Sequence, residues 1–366
     1  MDSITQAALG AVVGDLLLRR QLGRRALLWG AVLGTLPDLD ALLFLGADHA
    51  SQLRSHRGLS HAVLLWFVSS ALLAPLFHLL WRRRGVSLGR AASFVFLAWS
   101  THVLIDVFTA YGTQIWEPFS HARVSTSNLF IIDPLFTLPL LIGIGFSLWR
   151  NPPAAALRAQ RVGLAVAGIY VAWSLAARGW MDQQMRPHLQ ALENVRRHTL
   201  APTPLNTLLW RVLVETDDAF LITHRSLFDP KSSPQTWIRL PKEMPTDLTT
   251  EQTAVLSTPR WFSQDWLLLR RQTNGLYAAD LRLSEILSAE SPTCLTPVFG
   301  WVVDAHQADP LIPLHPRLDG SIGPQLRNLF RRAMGDRDAL PIPQFLSLPS
   351  GYREPISSLE TFLNDT

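Results

Sequence analysis

The first 180 residues alternate apolar stretches with short arginine clusters, and no other feature restricts the fold as much. Six stretches can be drawn, Ile4–Leu18, Ala26–Leu45, His61–Trp81, Ala91–Phe108, Leu129–Trp149 and Val162–Trp180. A helix of about 20 apolar residues crosses the hydrocarbon core of a bilayer. Lipid offers no partner to backbone polar groups, so these stretches are expected to be helices. The first is short and contains Gly10 and Gly14, which suits a tilted or partly inserted helix. Composition agrees: 48% of the 366 residues are hydrophobic and only 17% are charged, below the usual quarter for soluble chains.

The arginines predict an orientation, because positive residues collect in cytoplasmic loops. Loops one–two, three–four and five–six carry Arg19, Arg20, Arg24, Arg25, Arg82, Arg83, Arg84, Arg90, Arg150, Arg158 and Arg161, whereas loops two–three and four–five carry Arg54, Arg57 and Arg123. The N-terminus, the loop at 56–61, the loop at 111–127 and everything after residue 180 are therefore expected outside the cytoplasm. Topology also accounts for the net charge of +4 and the pI near 9.7, so no nucleic-acid partner is expected. Cys294 is the single cysteine, which excludes an intrachain disulfide and a cysteine-based zinc site. The opening Met-Asp-Ser-Ile-Thr-Gln has no positive n-region, so no cleaved signal peptide is expected.

Ionisable residues interrupt these apolar stretches in three places: Pro37-Asp38-Leu39-Asp40, His56-Arg57-Gly58-Leu59-Ser60-His61, and His102-x-x-x-Asp106. A charged side chain at membrane depth costs roughly 2.5–3.5 kcal/mol on insertion scales, and a shared divalent metal is a natural partner for it. Imidazole with carboxylate suits zinc and similar ions. The orientation set by arginines alone brings Asp2, Asp38, Asp40, His56, His61, His102, Asp106 and Asp133 to the outer side.

Each motif has a chemical and a plain reading. His102 and Asp106 are four apart and share a helix face, fit for a metal or for a His–Asp hydrogen bond that locks two helices. Asp38 and Asp40 diverge by about 200° on a regular helix and converge only if the helix unwinds at Pro37; otherwise they are solvated aspartates at a loop boundary. Gly58 permits a tight turn and Ser60 can cap the helix after it, aiming His56 and His61 at one point; the alternative is a pair of surface histidines. Arg57 between them suits a phosphate. Asp2 is a weaker candidate ligand that can equally cap the first helix, and Asp133 precedes Pro134 as at a helix start.

After residue 180 the pattern changes. Residues 181–204 read as a polar linker helix. Residues 205–366 read as a β-rich soluble domain with strands at Trp210–Val214, Ala219–Thr223, Trp261–Leu269, Leu276–Leu283 and Val298–Val303. Turns are expected at Asp229-Pro230, Thr273-Asn274-Gly275 and Ser291-Pro292, and a mixed tail from 305 with a helix near Pro324–Met334. The expected class is α+β: a polytopic transmembrane domain of about six helices over residues 1–180, followed by the linker and the β-rich domain.

The N-terminal part resembles a family of membrane-bound metal-dependent hydrolases that includes a LexA-regulated inner-membrane protein. The resemblance rests on Met1-Asp2 with Thr5, Pro37-Asp38-Leu39-Asp40, His56-Arg57-Gly58-Leu59-Ser60-His61, His102, Asp106, and Thr109 with Tyr111-Gly112. It covers residues 1–150, and Gln6 departs from the histidine that many members carry there. The family is similar to zinc-dependent phospholipase C and P1-type nucleases. The resemblance therefore implies a bacterial inner-membrane location, zinc, and hydrolysis of a phosphoester or lipid-linked substrate. Asp2, Asp38, Asp40, His56, His61, His102 and Asp106 are the candidate ligands; whichever of Asp38 and Asp40 is not consumed as a ligand would be the general base, and Arg57 the phosphate holder. The rival expectation is a non-enzymatic membrane protein with a structural metal site and a partner-binding soluble domain.

Overall fold

The computed structural model describes all residues except 150–152, 232, 243–246, 273–274, 284, 288–293, 315–321, 341–344 and 347–366. The turns expected at Thr273-Asn274 and Ser291-Pro292, and the tail past 346, lie outside the described residues.

The N-terminal half is helical: α1 (Ser3–Leu22), α2 (Arg25–Thr35), α3 (Asp40–Leu43), α4 (His49–Ser55), α5 (Val63–Trp81), α6 (Leu88–Val107), α7 (Pro134–Trp149) and α8 (Pro153–Gln190). Arg25–Leu43, Val63–Arg84, Leu88–Val107 and Pro153–Gln190 are long and apolar enough to cross a membrane. The first and fifth expected segments fall short of that, α7 by length. Helix α1 carries Asp15 and Arg19 because it is wrapped by α2, α6, α7 and α8. There Asp15 pairs with Arg19 at 3.1 Å and accepts from Ser147 Oγ at 2.5 Å, so neither charge faces lipid.

Helices α1 and α2 touch backbone to backbone. A Cβ on Gly10 would lie 2.3 Å from Gly30 O, and one on Gly34 would lie 2.7 Å from Gly10 Cα. Small residues four apart allow such approaches in membranes. This is why the first segment is glycine-containing, and it brings Gly34, the end of α2, close to α6.

The C-terminal half forms two four-stranded antiparallel sheets, so the chain is α+β. One holds β1 (Val195–Pro202), β2 (Leu209–Thr216), β3 (Ala219–Ser226) and β4 (Ile238–Pro241) in sequence order. The other holds β5 (Leu267–Gln272), β6 (Gly275–Asp280), β9 (Gly300–Val303) and β10 (Leu311–Pro313) in the order 10-9-6-5. A small three-stranded sheet adds β7 (Glu285–Leu287), β8 (Cys294–Pro297) and β11 (Phe345–Leu346). The main sheets face each other through Leu213, Ile222, Leu240, Leu268, Tyr277 and Val302. Ala177, Met181, Met185 and Leu189, one stripe of α8, cover the outer face of the first sheet at Trp210, Val212 and Val214. Helix α9 (Thr250–Ser263) covers the outer face of the second with Leu256 and Phe262. Burial on both faces explains why β2 reads as a run rather than an alternation.

Two expectations change in this half. Residues Trp261–Leu269 are not one strand: α9 continues to Ser263 and β5 starts at Leu267. The Thr249–Gln252 capping box starts that helix, and Thr-x-x-Gln was a legible signal for it. The sixth segment continues unbroken to Gln190, and β1 occupies Val195–Pro202, where a linker helix was expected. The stripe that docks on the first sheet extends the helix. Helix α10 (Ile322–Ala333) lies where the tail helix was expected.

Candidate metal centre

The site is built at one end of the bundle. Helix α2 gives way at Thr35 to a tight 3-10 turn, Leu36–Leu39, because Pro37 disturbs the helical hydrogen bonding of the preceding turn. The turn turns Asp38 and Asp40 toward a second 3-10 turn, Leu59–His61, which Gly58 opens. A Cβ on Gly58 would lie 2.8 Å from Ser55 O, so the turn requires glycine. Helix α6 supplies His102 and Asp106 from adjacent turns of one face.

Asp38, His61, His102 and Asp106 each offer a ligand atom, all within 4.8 Å of one another. His61 Nε2 lies 3.4 Å from Asp38 Oδ1, 3.2 Å from Asp106 Oδ2 and 3.1 Å from His102 Nε2. The partners around this group assign the tautomers. Gly34 O can only accept, so His102 Nδ1–H donates to it at 2.6 Å. Ser60 Oγ–H donates to Asp40 Oδ2 at 2.6 Å, so it accepts from His61 Nδ1–H at 2.8 Å. Both imidazoles thus engage Nδ1 with these partners and turn Nε2 inward. Asp38 Oδ1 and Asp106 Oδ2, both buried atoms, have no hydrogen-bond partner. Two imidazole nitrogens and two carboxylate oxygens converge, a donor set that suits a divalent cation, and each imidazole is oriented by its second nitrogen as metal-bound histidines are.

The remaining candidates stand around this group. Asp40 accepts from Arg57 N at 3.0 Å and lies 3.0 Å from His56 Nδ1, so Asp40 and His56 form a neighbouring pair. Arg57 is buried with its Nη2 3.0 Å from Asp106 Oδ1 and its Nη1 donating to Thr109 at 3.1 Å. Asp2 caps α1 through Thr5 N at 3.0 Å and stands apart from the four. Gln6 Nε2 donates to Asp106 Oδ1 at 2.9 Å, while its buried Oε1 has no hydrogen-bond partner. The Met1 amine also bonds Asp106 Oδ1. Asp133 starts α7 and accepts from Tyr170 at 2.9 Å, away from the group. Ligand roles went to both motif aspartates in the sequence; the structure separates them, with Asp38 at the four-residue group and Asp40 behind His61.

The site opens at Asp38, whose side chain is 24% exposed, and at His56, 29% exposed, whereas His61 and Asp106 are fully buried. Leu39, Leu42, Leu43 and Leu45 are exposed beside that opening. The C-terminal domain braces the same end. Leu53 of α4 enters its core, Arg54 Nη2 donates to Thr258 Oγ1 at 2.7 Å, and Trp261 Nε1 donates to His121 O at 3.0 Å. Sequence reasoning named Tyr111 only as a motif residue and Arg123 only as a loop charge, and assigned neither a place at the site. Arg57 and Arg123 lie 4.7 and 4.9 Å from the Tyr111 ring centre. Burial pushes the Tyr111 hydroxyl up and brings the Arg123 guanidinium down to about 10.

Residues 1–183 match the model of a family described as YdjM inner membrane protein. A Bacillus subtilis (strain 168) protein described as "Uncharacterized protein YfhP" is 27% identical over 191 residues, 51% of this chain and 54% of the relative. The chain thus spans about half the length of the curated relative it matches. No solved structure matches.

Proposed function

The chain belongs to the YdjM inner membrane protein family, and from that premise we propose that it is a membrane-embedded metal-dependent hydrolase acting on a phosphoester or lipid-linked substrate. The single observation that carries this reading is the convergence of four ligand atoms from Asp38, His61, His102 and Asp106, two of them buried carboxylate oxygens with no hydrogen-bond partner. Zinc is the favoured ion for two imidazoles and two carboxylates. Bound there, it would supply a water whose pKa is lowered toward about 7.

The chain's own residues would do the rest. Asp38, the less buried of the two carboxylates in the group, stands at the open edge, where its oxygen not used as a ligand would take a proton from water. Asp40 holds His56 through Nδ1 and, through Ser60, fixes His61. Arg57 holds Asp106 in place rather than facing the opening, so its phosphate-binding role passes to the entrance only if that pair opens. The exposed leucines beside Asp38 suit an acyl chain, which favours a lipid-linked substrate. The motif resemblance to membrane-bound metal-dependent hydrolases, read from the sequence, implies phosphodiester chemistry, and the arginine distribution supports a site on the outer face of the inner membrane.

The rival, a structural metal site, draws on the full burial of His61 and Asp106; catalytic zinc sites keep an open position. Asp38→Asn separates the two. The enzyme reading expects near-native melting in detergent with turnover of phosphodiester and phospholipid substrates lost. A large fall in melting temperature, with no turnover in wild type either, refutes it.

A further inference from the structure

A second polar site lies where the membrane and soluble domains meet. It is a cavity of about 70 Å³ walled by Arg178 of α8, Arg211 of β2, Arg282 after β6, Thr199 of β1, and Ser125 and Ser127 of the loop between α6 and α7. About 10–15 Å³ of such space holds one water, so this one takes a small polyatomic ligand. Its walls come from five separate elements of the fold and surround the space with N–H and O–H groups.

The donors are only partly used. Arg282 is buried and binds Asp280 through Nε at 3.1 Å and Nη2 at 2.6 Å, while its Nη1 has no hydrogen-bond partner. Arg178 makes no ion pair among the described residues, and its buried Nε has no partner either. Asp182, one turn along α8, is engaged by His198 at 2.8 Å. Buried polar groups are nearly always bonded, and an unpaired one calls for a water or an ion. The planar fork of a guanidinium matches a pair of oxygens on phosphate and related oxyanions.

The positive charge continues toward the metal centre. Arg57 and Arg123 flank the Tyr111 ring at 4.7 and 4.9 Å, and Arg123 and Arg282 flank the Phe262 ring at 4.6 and 5.3 Å. Arginine and aromatic layers thus alternate from Asp106 to the cavity. Arg123 in the middle forms no ion pair among the described residues. Cation–π contacts ease its burial, and the carboxylate that acts on it, Asp280, is already paired with Arg282, so the one acid is shared between two guanidinium groups, which favours an anion at the end of the row.

We propose that this cavity binds a tetrahedral oxyanion of the phosphate class, either free or as the terminal phosphate of a lipid headgroup. The site is distinct from the metal cluster and does not depend on the hydrolase reading.

The test uses the full chain in detergent and inorganic phosphate as the probe, at constant ionic strength against chloride. Phosphate should raise the melting temperature saturably. Arg178→Gln should weaken the apparent affinity by on the order of tenfold, the effect of one charge-assisted hydrogen bond. Ala201→Leu, which fills the cavity from β1 without removing a charge, should abolish the response, and Asp38→Asn at the metal cluster should retain it. Two variants guard against misfolding of one, and size-exclusion profiles report their fold. Nanodiscs containing phosphatidic acid distinguish the sources: competition with phosphate assigns a headgroup, and its absence assigns the free anion. No saturable stabilisation by phosphate in wild type, or an unchanged response in both cavity variants, overturns the proposal.

Discussion

Gly30→Ala tests how the backbone contact between α1 and α2 supports the metal centre. A Cβ at Gly30 would lie 2.2 Å from Gly10 O and 2.9 Å from Ala11 Cα. Comfortable contacts start at about 3.5 Å, and the obstructing atoms are backbone, so the two helices must part by about 1 Å. Overpacking of this kind costs about 1–3 kcal/mol. The shift also reaches the site. Gly34, one turn along α2, accepts from His102 Nδ1 at 2.6 Å. Lengthened by about 1 Å, that contact is no longer a hydrogen bond, and His102 loses the partner that fixes its ring. Losing such a partner typically costs about 10–100-fold in metal affinity. The control is Gly168→Ala in α8, where a Cβ meets nothing within 4 Å; in a helix interior alanine is favoured over glycine by about 0.8–1 kcal/mol. Both variants are purified in detergent, melted, and titrated with a competing chelator. Gly30→Ala should melt lower and release metal at lower chelator concentration, while Gly168→Ala matches or exceeds wild type. Equal melting and equal metal retention in the two variants would refute the coupling.

Three further outcomes are expected. The protein purified in detergent should carry at least one equivalent of divalent metal by elemental analysis, and His102→Ala with Asp106→Ala should deplete it; unchanged content removes both residues from the site. A reporter active only outside the cytoplasm, fused after Thr366, should be active, and activity of a cytoplasm-only reporter there would overturn the orientation drawn from the arginines. In the soluble domain, burial pushes the Glu215 carboxyl up, but Lys242 at 2.6 Å and Arg197 outweigh it and hold it below its ordinary value of 4.5. A carboxylate lowered by folding stabilises the fold above its unfolded pKa and loses that contribution as pH falls through the folded one. Glu215→Gln should therefore flatten the acid side of the melting curve against pH, and an unaltered slope would show that the ion pairs contribute nothing.

Composition and short spacings by themselves determined a great deal. Apolar length and arginine placement mark a helical membrane domain, because insertion responds to local hydropathy and flanking charge. His102 and Asp106 are legible as a pair because helix geometry puts residues four apart on one face. The α+β class followed from the change of pattern after residue 180. Tertiary structure alone decided which ligand atoms meet. Asp38 and Asp40 are two apart, and nothing local says that one faces His102 while the other stands behind His61 with His56. That division depends on how closely α1 and α2 approach, which their glycines set, and on where α4 is held, which Leu53 and Arg54 settle against the C-terminal domain. Arg57 looked available because its neighbours in sequence are polar; its place beside Asp106 arises from α6, some fifty residues away. The continuity of α8 into the soluble domain has the same origin: the stripe from Ala177 to Leu189 appears polar by average composition, and only the sheet it covers shows that it is buried. Spacing along the chain fixes which side chains can share a face, whereas the distances that decide binding are set between elements far apart in sequence.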